Sequence, residues 1–290
     1  MTEKNPLLAH ASNIHSQFGE DGIIGEILRR IGVMDETRDK WCVEFGAWDG
    51  IHLSNTYHLI NDHGWRAVLI EGEEKRHKEL CRNIPQDEVV KLCRFVGFDA
   101  HDNLDSILGE TPIPEDFDFL SIDIDGCDWH VWDSLKRYRP KVVCIEHNET
   151  VPVDLAYVQP RDFNVKIGNG CKALDNLARE KGYTTVCLTR GNVIAVRDDL
   201  VGRVLETPPS IEDMADPKAR RFVFVGFDGS VQSNFDRLPT NWHPMIIDME
   251  NMQVLPRFLR KYSGFYTPFH WLAFGTLEQW RRLRRRLRRG

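Results

Sequence analysis

No stretch of the 290 residues is apolar for long enough to cross a bilayer, and Met1-Thr-Glu-Lys-Asn-Pro6 has no signal-peptide core. The sequence therefore predicts a chain with neither a membrane span nor a secretory leader. Paired cysteines are also missing. The seven cysteines (42, 81, 93, 127, 144, 171 and 187) are scattered with no Cys-x-x-Cys, which argues against a zinc site or a disulfide framework. Several fall in predicted strands, where a thiol acts as a small apolar group, and they read as reduced cysteines of a cytoplasmic protein. The Gly-x-Gly-x-x-Gly of dinucleotide binders is missing as well. So is a basic body. Net charge is −6, and seven arginines lie in the last ten residues, so the rest of the chain stands at −13. An acidic body argues against nucleic acid at the main site. Hydrophobic content of 41% with 28% charged residues is ordinary for a globular protein, and the length allows one large domain, with or without an appendage.

What is present centres on Trp41-Cys-Val-Glu-Phe-Gly-Ala-Trp-Asp-Gly50. The apolar run from Trp41 to Phe45 reads as a buried strand with Glu44 near its end. Gly46 and Gly50 bracket a tight loop, and Ser54 to Asp62 looks helical. A strand, a glycine turn and a helix together bring backbone close to a nucleotide-like ligand in α/β proteins, although such turns also occur without any ligand. Fifteen residues after Gly50 a second run, Trp65-Arg-Ala-Val-Leu-Ile-Glu-Gly72, ends in Glu71. An acid at that point is placed to accept hydrogen bonds from both hydroxyls of a ribose.

These two runs resemble motifs I and II of S-adenosylmethionine-dependent methyltransferases. Gly19-Glu-Asp21, Val43-Glu-Phe-Gly-Ala-Trp-Asp-Gly50 and Ile122-Asp-Ile-Asp-Gly126 resemble more specifically the FkbM-type branch, over residues 12 to 198. The resemblance implies a Rossmann-like class I methyltransferase sheet: α/β, mostly parallel, seven strands with a late antiparallel hairpin. It implies S-adenosylmethionine as cofactor. In that setting Gly46 and Gly50 admit the methionine moiety, Glu44 and Asp49 hold its ammonium, and Glu71 with Gly72 meets the ribose. Trp48 packs on the cofactor or walls the acceptor pocket. Asn55, with Ser54, touches the cofactor carboxylate or caps the following helix. Asp99, after the third strand, lies near the adenine amino group or caps a helix, with Asp102 and Asn103 as rivals for the cap.

The remaining pattern agrees. Ile23 to Ile31 repeats apolar residues at helical spacing, Glu74 to Asn83 reads as a charged surface helix, and Lys91 to Gly97 as a third strand. Asp118 to Gly126 and Lys141 to Asn148 read as strands four and five, with a helix from Trp129 to Tyr138 between them. Lys172 to Lys181 reads as a further helix. Tyr183 to Thr189 and Asn192 to Arg197, joined by Arg190-Gly191, read as a hairpin. The expected domains are 1–199 for the cofactor-binding unit, 200–264 for a small accessory lobe with linkers at 207–210 and 215–217, and 265–290 for a basic amphipathic helix. In that last helix Leu277, Trp280, Arg284 and Leu287 share a stripe. It fits either docking to an anionic membrane surface or packing on the acidic body or a partner chain.

Asp123 and Asp125 are two apart on one strand, and Glu146 and Asn148 two apart on the next, so each pair shares a face if the strands persist. Neighbouring parallel strands bring them together at the carboxyl edge. Carboxylates that close need a counter-charge, which the sulfonium and amine of the cofactor or a divalent ion such as Mg2+ would supply. Asp125, Glu146 and Asn148 are the candidate metal ligands. Asp123, Asp125 and His147 are the candidate catalytic groups, with His147 a general base (His130 behind it) or a neutral imidazole bonded to backbone. Asp123 is also a candidate for the cofactor.

The leading expectation is an O-methyltransferase acting on a hydroxyl of a small molecule or glycan, the acceptor class coming from the family resemblance. It would be cytoplasmic, with peripheral attachment at the inner membrane surface left open. The competing reading is a non-catalytic cofactor-fold module tethered by its basic tail to a membrane or partner. A nucleotide-sugar enzyme is disfavoured, because no basic residues line the predicted loops at 46–55 and 72–73.

Overall fold

The computed structural model describes residues 4–216, 222–227, 231–234, 237–239, 246–248 and 254–287. The chain divides into two compact units, Met1–Ala219 and Arg220–Gly290.

The first unit is built on a seven-stranded sheet. Its strands are β1 (Trp41–Phe45), β2 (Arg66–Glu71), β3 (Val89–Cys93), β4 (Phe119–Ile122), β5 (Val142–Glu146), β6 (Tyr183–Leu188) and β7 (Asn192–Arg197). Their order is β3-β2-β1-β4-β5-β7-β6. The pairs β1–β2, β2–β3, β1–β4 and β4–β5 are parallel, whereas β7 runs antiparallel to both β5 and β6. This is the mostly parallel sheet with a late hairpin that the sequence predicts. Strand order reverses between β1 and β4, the place where an open α/β sheet leaves a crevice at its carboxyl edge.

Both faces are covered, so the central strands read as apolar runs and not as alternating ones. On one face α4 (Leu104–Leu108), α5 (Asp128–Ser134) and α6 (Cys171–Glu180) bury Ile107, Trp132 and Leu174 against Val43, Phe45, Val68 and Leu120. On the other, α1 (Glu20–Arg30), α2 (Tyr57–His63) and α3 (Glu74–Asn83) bury Ile23, Ile27, Leu59 and Leu80 against Cys42, Leu69 and Ile194. Five cysteines (42, 127, 144, 171 and 187) are buried and two (81 and 93) exposed, all as free thiols.

The compact unit runs past the boundary expected at residue 199. Two short helices, α7 (Asp198–Val204) and α8 (Ile211–Met214), bury Leu200, Val204, Ile211 and Met214 in the two cores. Residues 207–210 precede α8, and Ser210 caps it by accepting from the Asp213 N–H.

The second unit contains two short antiparallel pairs, β8 (Val223–Val225) with β9 (Val231–Ser233) and β10 (Arg237–Pro239) with β11 (Ile246–Asp248). It ends in α9 (Pro268–Leu287), the helix expected from the sequence. Part of the expected accessory lobe, and residues 288–290, lie outside the described residues.

Candidate active site

The register of the sheet defines the site. Ile70, Phe45, Ile122 and Ile145 lie abreast on β2, β1, β4 and β5. One residue further toward the carboxyl edge stand Glu71, Gly46, Asp123 and Glu146, a row of three acids interrupted by a glycine. Alternation puts Glu71 and Glu146, the last residues of β2 and β5, on the sheet face that carries Leu69 and Cys144, while Gly46 and Asp123 directly follow the ends of β1 and β4. Neighbouring strands lie about 4.8 Å apart, so Gly46 leaves a gap of roughly two strand spacings between Glu71 and Asp123.

Gly46 is fixed there by geometry. Its φ is +74°, and a Cβ would lie 1.8 Å from the Asp123 carbonyl oxygen. The following loop is held in the left-handed region at Trp48 (φ 49°), Gly50 (φ 80°) and Leu53 (φ 57°). Asp49 Oδ1 accepts the Ile51 and His52 N–H groups at 3.0 and 2.8 Å. These two bonds outweigh the burial that opposes them and hold its carboxyl below the usual value. The Trp48 ring is exposed and stacks under the Arg76 guanidinium at 4.6 Å.

Glu44 turns inward. Its Oε2 accepts the Ser54 and Thr56 hydroxyls at 2.6 and 2.7 Å, and its Oε1 accepts the Asn55 N–H at 2.9 Å. Burial raises its pKa, and these three bonds oppose the rise. The carboxylate expected to grip a cofactor ammonium is thus spent on shaping the loop ahead of α2. Asn55 is buried too, donating to the Ser121 hydroxyl at 3.1 Å. Glu71 differs. It is half-buried and accepts one N–H on each oxygen, from Trp48 at 2.9 Å and Glu73 at 2.7 Å. Each oxygen keeps a lone pair for a further donor. Gly72, the next residue, lies under the Phe95 ring, which a Cβ would approach to 2.4 Å. Phe95 is exposed after β3, and nothing in its local sequence singled it out.

On the other side of Gly46, Asp123, Asp125 and Glu146 each bring a carboxylate oxygen within 4.8 Å of the others. Asp125 is held at φ 56°, a left-handed conformation uncommon outside glycine. Asp123 is exposed to solvent, although protein atoms crowd around its carboxyl. Burial, then Asp128 and Asp125, push its carboxyl up to about 7. Burial and then Asp123 push Glu146 up as well, so the pair holds a proton that two free carboxyls would have lost. Asp128 is raised to about 6 by burial, and it accepts the Ile124 and Gly126 N–H groups that shape the turn. Three oxygen donors with repelling charges fit a hard divalent cation.

Other expected site residues lie elsewhere. β5 ends at Glu146, so Asn148 does not share its face. Its Nδ2 donates to the Ile167 carbonyl at 2.6 Å and its Oδ1 accepts from Thr150, tying off the 147–170 connection. His147, the first residue after β5, is buried. Its Nε2 meets the Thr189 carbonyl at 3.2 Å, while Nδ1 has no partner, and burial lowers its pKa. His130 Nε2 meets the Gln159 carbonyl at 2.9 Å. Asp99 is exposed and ion-paired to Arg161 at 3.3 Å, and Asn103, not Asp99, caps α4.

The long β5–α6 connection is pinned against the site by side chains that its irregular sequence did not advertise. Gln159 Oε1 accepts the Ile167 and Gly168 N–H groups, and its Nε2 donates to the Val165 carbonyl. Asn169 donates to the Gly126 carbonyl at 2.8 Å, and Lys166 Nζ to that of Ile124 at 3.3 Å.

No family model matches the chain. No curated protein matches it either. Among solved structures, the METTL16 MTase domain is 15% identical over 61% of this chain and 66% of its own, with a TM-score of 0.40. M. capricolum TrmK bound to S-adenosylhomocysteine is 10% identical over 58% and 68%, with a TM-score of 0.36. The mitomycin 7-O-methyltransferase MmcR is 14% identical over 61% and 54%, with a TM-score of 0.34. The chain thus spans less than two thirds of the METTL16 and MmcR chains. Assignment of the sheet rests on the strand order and pairings above.

Proposed function

We propose that this chain is an S-adenosylmethionine-dependent methyltransferase that methylates a hydroxyl of a small molecule or glycan. One observation carries the reading: the row Glu71, Gly46, Asp123, Glu146 along the carboxyl edge, at the point where strand order reverses. When bound, S-adenosylmethionine supplies an electrophilic methyl group on a cationic sulfur. The free lone pairs of Glu71 suit the two ribose hydroxyls. Glycine at position 46 lets β1 and the chain after β4 approach at the switch point, where a side chain would collide with the Asp123 carbonyl. The negative charge of Asp123 and Asp125 favours a cationic ligand, and it disfavours a phosphate backbone in the same cleft.

A hydroxyl acceptor must lose its proton, and with no metal ion bound Asp123, raised to about 7, is suited to take it near neutral pH. His147 is not the base in this reading, since its ring is buried with Nε2 against the Thr189 carbonyl. Asp123, Asp125 and Glu146 would hold a divalent ion such as Mg2+, which would lower the pKa of the hydroxyl it binds. The pinned β5–α6 connection would exclude water from the displacement.

The test offers methyl-labelled S-adenosylmethionine with a panel of hydroxylated small molecules and glycans. It compares the wild type with Asp125→Ala/Glu146→Ala. Transfer should fall by about a hundredfold or more, with S-adenosylhomocysteine affinity within about threefold. Transfer at the wild-type rate in the double variant would remove the acid row from the chemistry. Tight cofactor binding with no transfer to any acceptor would favour a non-catalytic module instead.

A further inference from the structure

We infer that α9 is a docking helix for an anionic lipid surface, lying in the interface plane and not spanning it. The helix is 20 residues long, and among the described residues no helix is long and apolar enough to cross a membrane. Its exposed face is not polar. Phe269, Leu272, Trp280 and Leu283 fall within a narrow sector when placed at 100° per residue, and they are 63%, 70%, 51% and 55% exposed. Thr276 lies in the middle of that sector. The half-buried residues Phe274 and Leu277, with buried His270, occupy a different sector. The helix thus has one half-buried apolar face and one open apolar sector, and Trp271, 57% exposed, lies outside both. The stripe expected from the sequence, Leu277 with Trp280, mixes the two.

The charge says what fits the open face. From Pro268 to the end there are seven arginines against a single carboxylate, Glu278, on a chain that is otherwise acidic. Arg284 lies 4.4 Å over the Trp280 ring, so a cation sits beside the open aromatic stripe, and Arg282 pairs with Glu278 at 2.6 Å. Aromatic and aliphatic side chains on one face with arginines beside them match an interface whose outer layer is anionic and whose inner layer is hydrocarbon. A nucleic acid would use the arginines and leave Phe269, Leu272 and Leu283 in water. Phe265, in the turn just before α9, is 73% exposed and extends the apolar surface. The acidic remainder would be repelled by the same surface, which confines contact to the helix.

The experiment is co-sedimentation of the full chain with vesicles of phosphatidylcholine alone and of phosphatidylcholine with phosphatidylglycerol. Binding to the anionic vesicles should be at least about tenfold stronger and should weaken steeply between roughly 0.1 and 0.5 M salt. Leu272→Glu/Leu283→Glu should reduce it about tenfold or more with an unchanged circular dichroism spectrum. Arg281→Gln/Arg282→Gln/Arg284→Gln should reduce it about a hundredfold, at roughly fivefold per charge. These outcomes support the inference. Equal binding to both vesicle types, binding to neither, or full binding by the Leu272/Leu283 variant would each overturn it. So would a single-stranded RNA that binds more tightly than the anionic vesicles and does not lose affinity in that variant.

Discussion

Glu44→Ala separates two roles that one carboxylate could play at the end of β1. The side chain is buried and accepts the Ser54 and Thr56 hydroxyls and the Asn55 N–H. Truncation strands three donors in the interior, each costing about 1–3 kcal/mol. Two effects reduce the sum. Ser54 and Thr56 hydroxyls already lie 3.3 Å apart and can bond each other, and the burial cost of Glu44 itself disappears. The expected loss is therefore about 3–5 kcal/mol, or roughly 6–20 °C in melting temperature for a unit of this size. Thermal and urea unfolding followed by circular dichroism measure it. Glu44→Gln, which can still accept on one oxygen and donate to a hydroxyl, should lose less than half as much. A Glu44→Ala protein that melts within about 2 °C of wild type but no longer binds S-adenosylhomocysteine would refute the reasoning and return the carboxylate to the ligand.

Gly46→Ala should destabilise the first unit by about 2–5 kcal/mol in urea unfolding, since the Cβ meets the Asp123 carbonyl at 1.8 Å and φ is +74°. Asp118 is buried and accepts from Trp41 N, Arg38 and Lys141, and these bonds outweigh burial and hold its carboxyl below the usual value. Asp118→Ala should cost about 3–5 kcal/mol at pH 7, and wild type should lose part of that contribution as pH falls below the ordinary Asp range. Asp123 and Glu146 are shifted the other way, so the folded chain binds more protons than the unfolded chain between about pH 4 and 10, and the pair lowers stability as pH rises. Asp123→Asn/Glu146→Gln, in EDTA, should stabilise the chain by about 1–2 kcal/mol at pH 8, allowing for the water that reaches Asp123, and hardly at all at pH 4. Equal effects at both pH values would contradict the shared proton.

Most of the sheet was legible because its strands are apolar runs ended by glycine or acid, and the hairpin because Arg190-Gly191 separates two such runs; β3, read as Lys91 to Gly97, lies instead at Val89–Cys93, where no glycine or acid marks its end. α7 and α8 were harder to read. They are one or two turns long, too short for a helical period to show, although Ser210 ahead of Asp213 is a readable cap. At the site, the row of acids followed from two-residue alternation once neighbouring strands were known. Where a strand ends did not follow. β5 stops at Glu146, which turns Asn148 into a loop anchor, while His147 is buried with its ring against the Thr189 carbonyl. Glu44 was read as a ligand group because its buried donors come from Ser54 to Thr56, ten to twelve residues later, and no local pattern announces that closure. Phe95 and Gln159 lie in segments without periodicity, so only the folded chain brings Phe95 over Gly72 and ties Gln159 to residues 165–168.

The central claim is that Glu71, across the gap at Gly46, holds the ribose of an adenosyl ligand at this edge. Calorimetric titration with S-adenosylhomocysteine tests it. Wild type should bind one equivalent, and Glu71→Ala should weaken binding about ten- to a hundredfold, the worth of one or two hydrogen bonds to a charged group, with its fold intact. No binding by wild type, or equal affinity in the variant, would contradict the account.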